Sequence, residues 1–123
     1  MHQRRPINLN LFTIRFPLPA IVSIFHRLSG FFLFLLIPFV LWLFSFSLTE
    51  AGFELLQALL NTFLVKLILW VLLIPFCYHL IAGVRHLFMD IEVGTSLKGG
   101  KRSAQLTFVV TILFIILAGV WLW

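Results

Sequence analysis

The chain has 123 residues, 62% of them hydrophobic and 11% charged, with a formal net charge of +5. A soluble domain carries about a quarter charged residues, and one this small leaves roughly a third of its unfolded surface exposed, so this much apolar surface has to face lipid. The basic residues stand at the ends of apolar runs, which excludes a nucleic-acid-binding face, and Cys77, the only cysteine, excludes an intrachain disulfide.

The first 19 residues read as a cytoplasmic segment. Arg4 and Arg5 give it a basic start, but Pro6, Arg15, Pro17 and Pro19 break up the rest of the segment. The apolar run that comes next is longer than the 7–15 residues or so of a cleavable signal.

A membrane span needs about 20 mostly apolar residues to cross roughly 30 Å of hydrocarbon. Leu28 to Thr49, Leu67 to Val84 and Ser103 to Trp123 meet that requirement. Helical continuity predicts helix I over 20–49, helix II over 62–89 and helix III over 103–123, in one all-α membrane domain covering 1–123. Lys98, Lys101 and Arg102 come after the second span, whereas Glu50 and Glu54 come after the first. The positive-inside rule then puts the N-terminus in the cytoplasm or a mitochondrial matrix, and the C-terminus outside. Trp42, Trp70, Trp121 and Trp123 fall near the outer ends, as an aromatic belt requires. Pro38 and Pro75 lie within spans, and each predicts a kink because it removes a backbone donor. The stretch from Gly94 to Ser103 resembles a phosphate-binding loop only superficially; it lacks the G-x-x-x-x-G-K-[ST] spacing and reads as a flexible basic turn.

Ionisable residues inside a span cost about 2.5–3.5 kcal/mol each at mid-helix, so each needs a partner. Ser23, His26, Arg27 and Gly30 are spaced i, i+3, i+4, i+7 and share one face. The plainer account of His26 and Arg27 is snorkelling to the headgroups. His79, Gly83, His86 and Asp90 share a face of the second span, and His79 is the deepest ionisable group. It reads either as a neutral histidine bonded to a neighbouring helix or as a metal or haem ligand.

Geometry limits the second reading. His79 and His86 are seven residues apart, about 10.5 Å along one helix, and cannot bind one iron from opposite faces. His26 is expected near the level of His86 rather than at the depth of His79, and the third span has no histidine. A haem held by His79 with two histidine ligands therefore takes its second ligand from another chain. His26, Arg27, Arg85 and His86 are then expected to form a cationic collar for the haem propionates.

Three motifs occur in this order: Arg5-Pro6-Ile-Asn8-Leu9, Ser23-x-x-His26-Arg27-x-Ser29-Gly30 and His79-x-x-x-Gly83-x-Arg85-His86-x-x-x-Asp90. With the Gly-Lys-Arg-Ser turn and the Ala-Gly-Val-x-x-Trp ending, the chain resembles, over nearly its whole length, the cytochrome b membrane-anchor subunit of succinate dehydrogenase. Pro38 and Pro75 depart from that pattern. The resemblance implies a second small anchor subunit, an iron–sulfur subunit and a flavoprotein as partners at the inner face of the membrane. An N-terminal segment too short and Ser-poor for an organellar transit peptide favours a bacterial inner membrane, with the mitochondrial inner membrane as the alternative. The resemblance also implies haem b with His79 as the axial ligand from this chain, and ubiquinone as substrate beside Ser23 and Arg27. His26 would contact the haem edge or a propionate. It implies no catalytic residue acting alone, only a subunit of succinate:quinone oxidoreductase. Two other readings stay open: a haem-free anchor or assembly protein whose polar face joins helices, and a small transporter subunit.

Overall fold

The computed structural model describes residues 9–123, so Arg4, together with Arg5, Pro6 and Asn8 of the first motif, lies outside the described residues. Four helices occur in chain order: α1 (Leu18–Ser47), α2 (Glu50–Leu60), α3 (Phe63–Asp90) and α4 (Leu97–Leu122), with no strand among the described residues. The fold is all-α, and α1, α3 and α4 are each long and apolar enough to cross a membrane. They have 30, 28 and 26 residues. At about 1.5 Å per residue each exceeds a hydrocarbon thickness of roughly 30 Å, so their ends reach the headgroup levels. Both α1 and α3 run unbroken through Pro38 and Pro75.

The three long helices pack antiparallel in sequence. The start of α1, the end of α3 and the start of α4 form one end, which carries most of the basic residues. The opposite end carries the acidic α2. Small residues set the packing, as they do where lipid supplies no hydrophobic drive between helices. Val22, Tyr78, Ala82 and Ala104 are buried together where α1, α3 and α4 meet, while large apolar side chains along every long helix stay exposed, among them Phe31, Phe34, Trp42, Leu106 and Val120.

The helix bounds differ from expectation in two places. The connection after α1 contains a helix of its own. Thr49 caps it by accepting from the Gly52 N–H at 3.1 Å. A Cβ at Gly52 would run into the Phe46 carbonyl, so only glycine lets α2 fold back tightly on the end of α1. Phe53, Leu55 and Leu59 on α2 remain exposed beside Glu50 and Glu54, the mixture of an interfacial helix. The second difference is that α4 starts at Leu97, so the stretch read as a flexible basic turn is largely helix. Ser96 caps it by accepting from the Gly99 N–H at 3.0 Å, which outweighs the poor helix propensity of Gly99 and Gly100. The turn itself is short. At the end of α3, Val93 N–H donates to the Phe88 carbonyl and Glu92 N–H to that of Met89. This is a Schellman closure in which Glu92 takes the left-handed position, φ 61°.

Candidate functional site in the seam between the first and third helices

The polar groups of α1 and α3 meet through a reciprocal arrangement of glycine and histidine. A Cβ at Gly30 would lie 2.8 Å from His79 Cε1, and one at Gly83 would lie 3.2 Å from His26 Nε2. Each histidine thus occupies the space left by the glycine of the opposite helix. The imidazoles of His26 and His79 stack with centroids 4.2 Å apart and planes 5° from parallel. His86 stands on the other side of His26, at 4.8 Å and 58°. This corrects the expected depth of His26. The glycines let α1 and α3 approach closely, so His26 bridges the levels of His79 and His86 instead of sharing that of His86 alone.

His79 Nδ1 lies 3.0 Å from the His26 backbone carbonyl and 3.0 Å from Ser29 Oγ. A carbonyl only accepts, so Nδ1 carries the proton and donates. Ser29 in turn donates its own O–H to the same His26 carbonyl at 2.8 Å, which leaves its oxygen to share the Nδ1–H. The tautomer of His79 is thereby fixed, and Nε2 keeps its lone pair without a hydrogen-bond partner among the described residues. An imidazole held through one ring nitrogen, with a lone pair left on the other, is in the state in which imidazoles bind metals. His79 also lines an apolar groove of about 620 Å³ between α1 and α3, with Gly30, Leu33, Ile37, Leu72 and Phe76 among its walls. Among the described residues no three His, Cys, Asp or Glu side chains gather to hold a metal ion. What His79 offers is a single lone-pair donor beside an apolar groove, which suits a metal whose other ligands come from elsewhere better than a bare ion.

Ser29 is a residue that sequence reasoning missed as a site member. Its signal was there: it is the hydroxyl one turn along α1 from His26, and it is buried. Tyr78, the neighbour of His79, is another. It is buried between Phe25 of α1 and Phe108 of α4, and its hydroxyl donates to the Val22 carbonyl at 2.8 Å. That bond ties α3 to the turn of α1 that carries Ser23.

The remaining expected site residues divide. Ser23 is half-buried and Arg27 exposed on the basic-end half of α1. Ser29, Ser47, Ser103, Thr107 and Thr111 each bond a carbonyl one turn back. Ser23 makes no hydrogen bond among the described residues, so its hydroxyl is not committed to its own helix. Arg27 lies within electrostatic reach of His86. Arg85 points away from the expected collar. It is buried toward α4, where Nε donates to Ser103 Oγ at 3.0 Å and Nη2 to the Gly100 carbonyl at 3.3 Å. The reason is angular: consecutive residues on a helix point about 100° apart, so Arg85 and His86 cannot face the same neighbour.

These features define a three-span helical membrane subunit whose polar chemistry lies in the seam between its first and second spans. The chain belongs to the succinate dehydrogenase/fumarate reductase transmembrane subunit family, whose sequence profile matches residues 1–118. It is 43% identical to the succinate dehydrogenase cytochrome b556 subunit of Coxiella burnetii over the full length of both chains. The cytochrome b556 subunit of Rickettsia prowazekii is 30% identical over 95% of this chain and 92% of its own. That of Paracoccus denitrificans is 33% identical over 82% and 78%. The chain is thus a membrane subunit of the succinate dehydrogenase type, similar throughout to proteins named as cytochrome b subunits.

Proposed function

We propose that this chain anchors a succinate:quinone oxidoreductase in a bacterial inner membrane, supplies one axial ligand to haem b through His79 Nε2, and lines part of the ubiquinone site with Ser23 and Arg27. The observation that carries the reading is the pinned tautomer of His79, with Nδ1–H shared between the His26 carbonyl and Ser29 and Nε2 left as a lone-pair donor beside the apolar groove. His26 would not be a second ligand to the same group, because its ring lies flat against that of His79. The described part of α4 carries no histidine, so the second ligand belongs to a partner anchor subunit.

When bound, haem b supplies a one-electron redox centre beside the path from succinate to quinone. The chain's own residues do the rest. His26, His86 and Arg27 offer donors and positive charge to the propionates at the basic end of the seam. The uncommitted Ser23 hydroxyl donates to a quinone oxygen, and the Arg27 guanidinium stabilises the negative charge that develops there in a poorly solvated site. Arg27 stays protonated, since a guanidinium does not give up its proton in proteins, and the protons for the quinone come from water and partner groups. The basic end faces the cytoplasm, where Arg15, Lys98, Lys101 and Arg102 obey the positive-inside rule. There the iron–sulfur subunit and the flavoprotein dock.

The test is a reduced-minus-oxidised optical difference spectrum of the complex purified through a tag on this chain. A b-type signal that succinate reduces is expected. An intact complex of all four subunits with no haem signal would reduce His79 to a helix-packing residue and leave a bare anchor.

A further inference from the structure

Arg85 is 6% exposed, yet its partners among the described residues, the Ser103 hydroxyl and the Gly100 carbonyl, are both neutral. A guanidinium has five N–H donors in a fixed fork, and these bonds engage two of them. A buried positive charge without an opposite charge is expensive in a membrane. Arg85 also lines a cavity of about 380 Å³ between the basic-end halves of α3 and α4, together with Phe88, Val93, Ser103 and Thr107. Ser103 and Thr107 already donate their protons to carbonyls of α4, so the spare donors in this cavity belong to Arg85.

Apart from Arg85 and the two hydroxyls, the side chains that line the cavity are apolar. From the guanidinium its walls continue toward mid-span along Val84, Leu106 and Val110, and Val84 and Leu106 are exposed on the outer surface. At 28 residues, α3 overhangs a hydrocarbon core of roughly 30 Å by roughly 6 Å at each end. Arg85 stands five residues before its last residue, Asp90, and so lies close to the hydrocarbon boundary, where a lipid phosphate resides. Exposed Lys98, Lys101 and Arg102 on the first turns of α4 surround the same end. The face of α3 that holds His79 and His86 is turned to α1, so this cavity is separate from the histidine seam.

We propose that the cavity is a binding site for an anionic glycerophospholipid, with its phosphodiester against Arg85 and an acyl chain along Val84, Leu106 and Val110. A carboxylate from a partner subunit would meet the charge alone; a phosphodiester with its chain meets the charge and fills the apolar track. The site rests on membrane embedding and on Arg85, not on the haem or quinone reading.

The experiment uses the whole complex in phosphatidylcholine nanodiscs doped with spin-labelled phosphatidylglycerol or spin-labelled phosphatidylcholine, and reads the motionally restricted fraction of each. About a fivefold preference for phosphatidylglycerol is expected, the worth of one basic side chain acting on an anionic headgroup. Arg85→Gln is expected to bring it near parity. Because that variant also loses its bonds to α4, Leu106→Trp is measured beside it; the indole fills the track from outside while leaving every charge and every Arg85 bond in place. Loss of the preference in Leu106→Trp supports the site. An unchanged preference there assigns the selectivity to the rim lysines and overturns it. A photoreactive phenylalanine at position 106 gives an independent reading: cross-linking to lipid supports the site, and cross-linking to a partner subunit overturns it.

Discussion

The two seams of α3 are built from the same parts and end in different chemistry. Toward α1, an imidazole fills the space left by Gly30 and donates to the His26 carbonyl. Toward α4, the Trp70 indole fills the space left by Gly119, where a Cβ would stand 3.0 Å from Nε1, and donates to the Ile115 carbonyl at 2.9 Å. An indole has one N–H and nothing more, so Trp70 is spent once that bond is made. An imidazole tied through Nδ1 still owns a lone pair on Nε2. A polar ring in a transmembrane seam is therefore judged by what it has left after its packing bonds are counted, and not by its depth alone.

The strongest way to break this comparison is His79→Ala. It is expected to abolish the b-type absorbance while the subunits still co-purify, and a retained spectrum would equate His79 with Trp70. Next come Ser23→Ala and Arg27→Ala. Either is expected to lower quinone reduction by about a hundredfold, the order of effect of removing a donor from a developing negative charge. Succinate oxidation by a soluble artificial acceptor should persist, and a parallel fall of both assays with subunit content would move these residues to assembly. Gly30→Ala forces a methyl into the ring of His79, which two hydrogen bonds hold in place, so haem retention during purification should fall. Gly83→Ala, with 3.2 Å to the more loosely held His26, should fall less. Ser29→Ala leaves the His26 carbonyl to hold Nδ1–H alone. Weakening that bond makes the ligand less basic, so the midpoint potential should rise with haem content unchanged. The smallest effect belongs to Trp70→Phe. It should cost about 0.6 kcal/mol, typical of one interhelical hydrogen bond in a membrane protein, and leave the haem spectrum untouched.

Much of the architecture was legible because lipid imposes a simple requirement. Charge-free runs of the necessary length mark the spans, and the depth of His79 comes from counting residues along one of them. Family membership was legible too, from motifs in the right order. What escaped was whatever depends on which helix packs against which. Spacing put His26, Arg27 and Gly30 on a common face, but not Gly30 under the ring of His79. Proximity in sequence placed Arg85 beside His86, but the 100° step between neighbours sends it to α4. Helix α2 was hidden because eleven residues with two glutamates read as a loop when only spans are sought. The early start of α4 was hidden because Gly99-Gly100 weighs against helix unless the Ser96 cap and the Arg85 bonds are known.

Arg85 and Trp70 fasten α3 to α4 near both ends of their shared length, one at Ser103 and Gly100, the other at Ile115. Two fixed points on one pair of helices determine both sliding and rotation, so α4 cannot move along α3 without breaking both. The pair is then a hairpin braced near both ends. The hydrogen-bonded ties of α1 to α3 among the described residues, through Val22, His26 and Ser29, all lie on its basic-end half, so the other half, with the apolar groove, is held to α3 by packing alone.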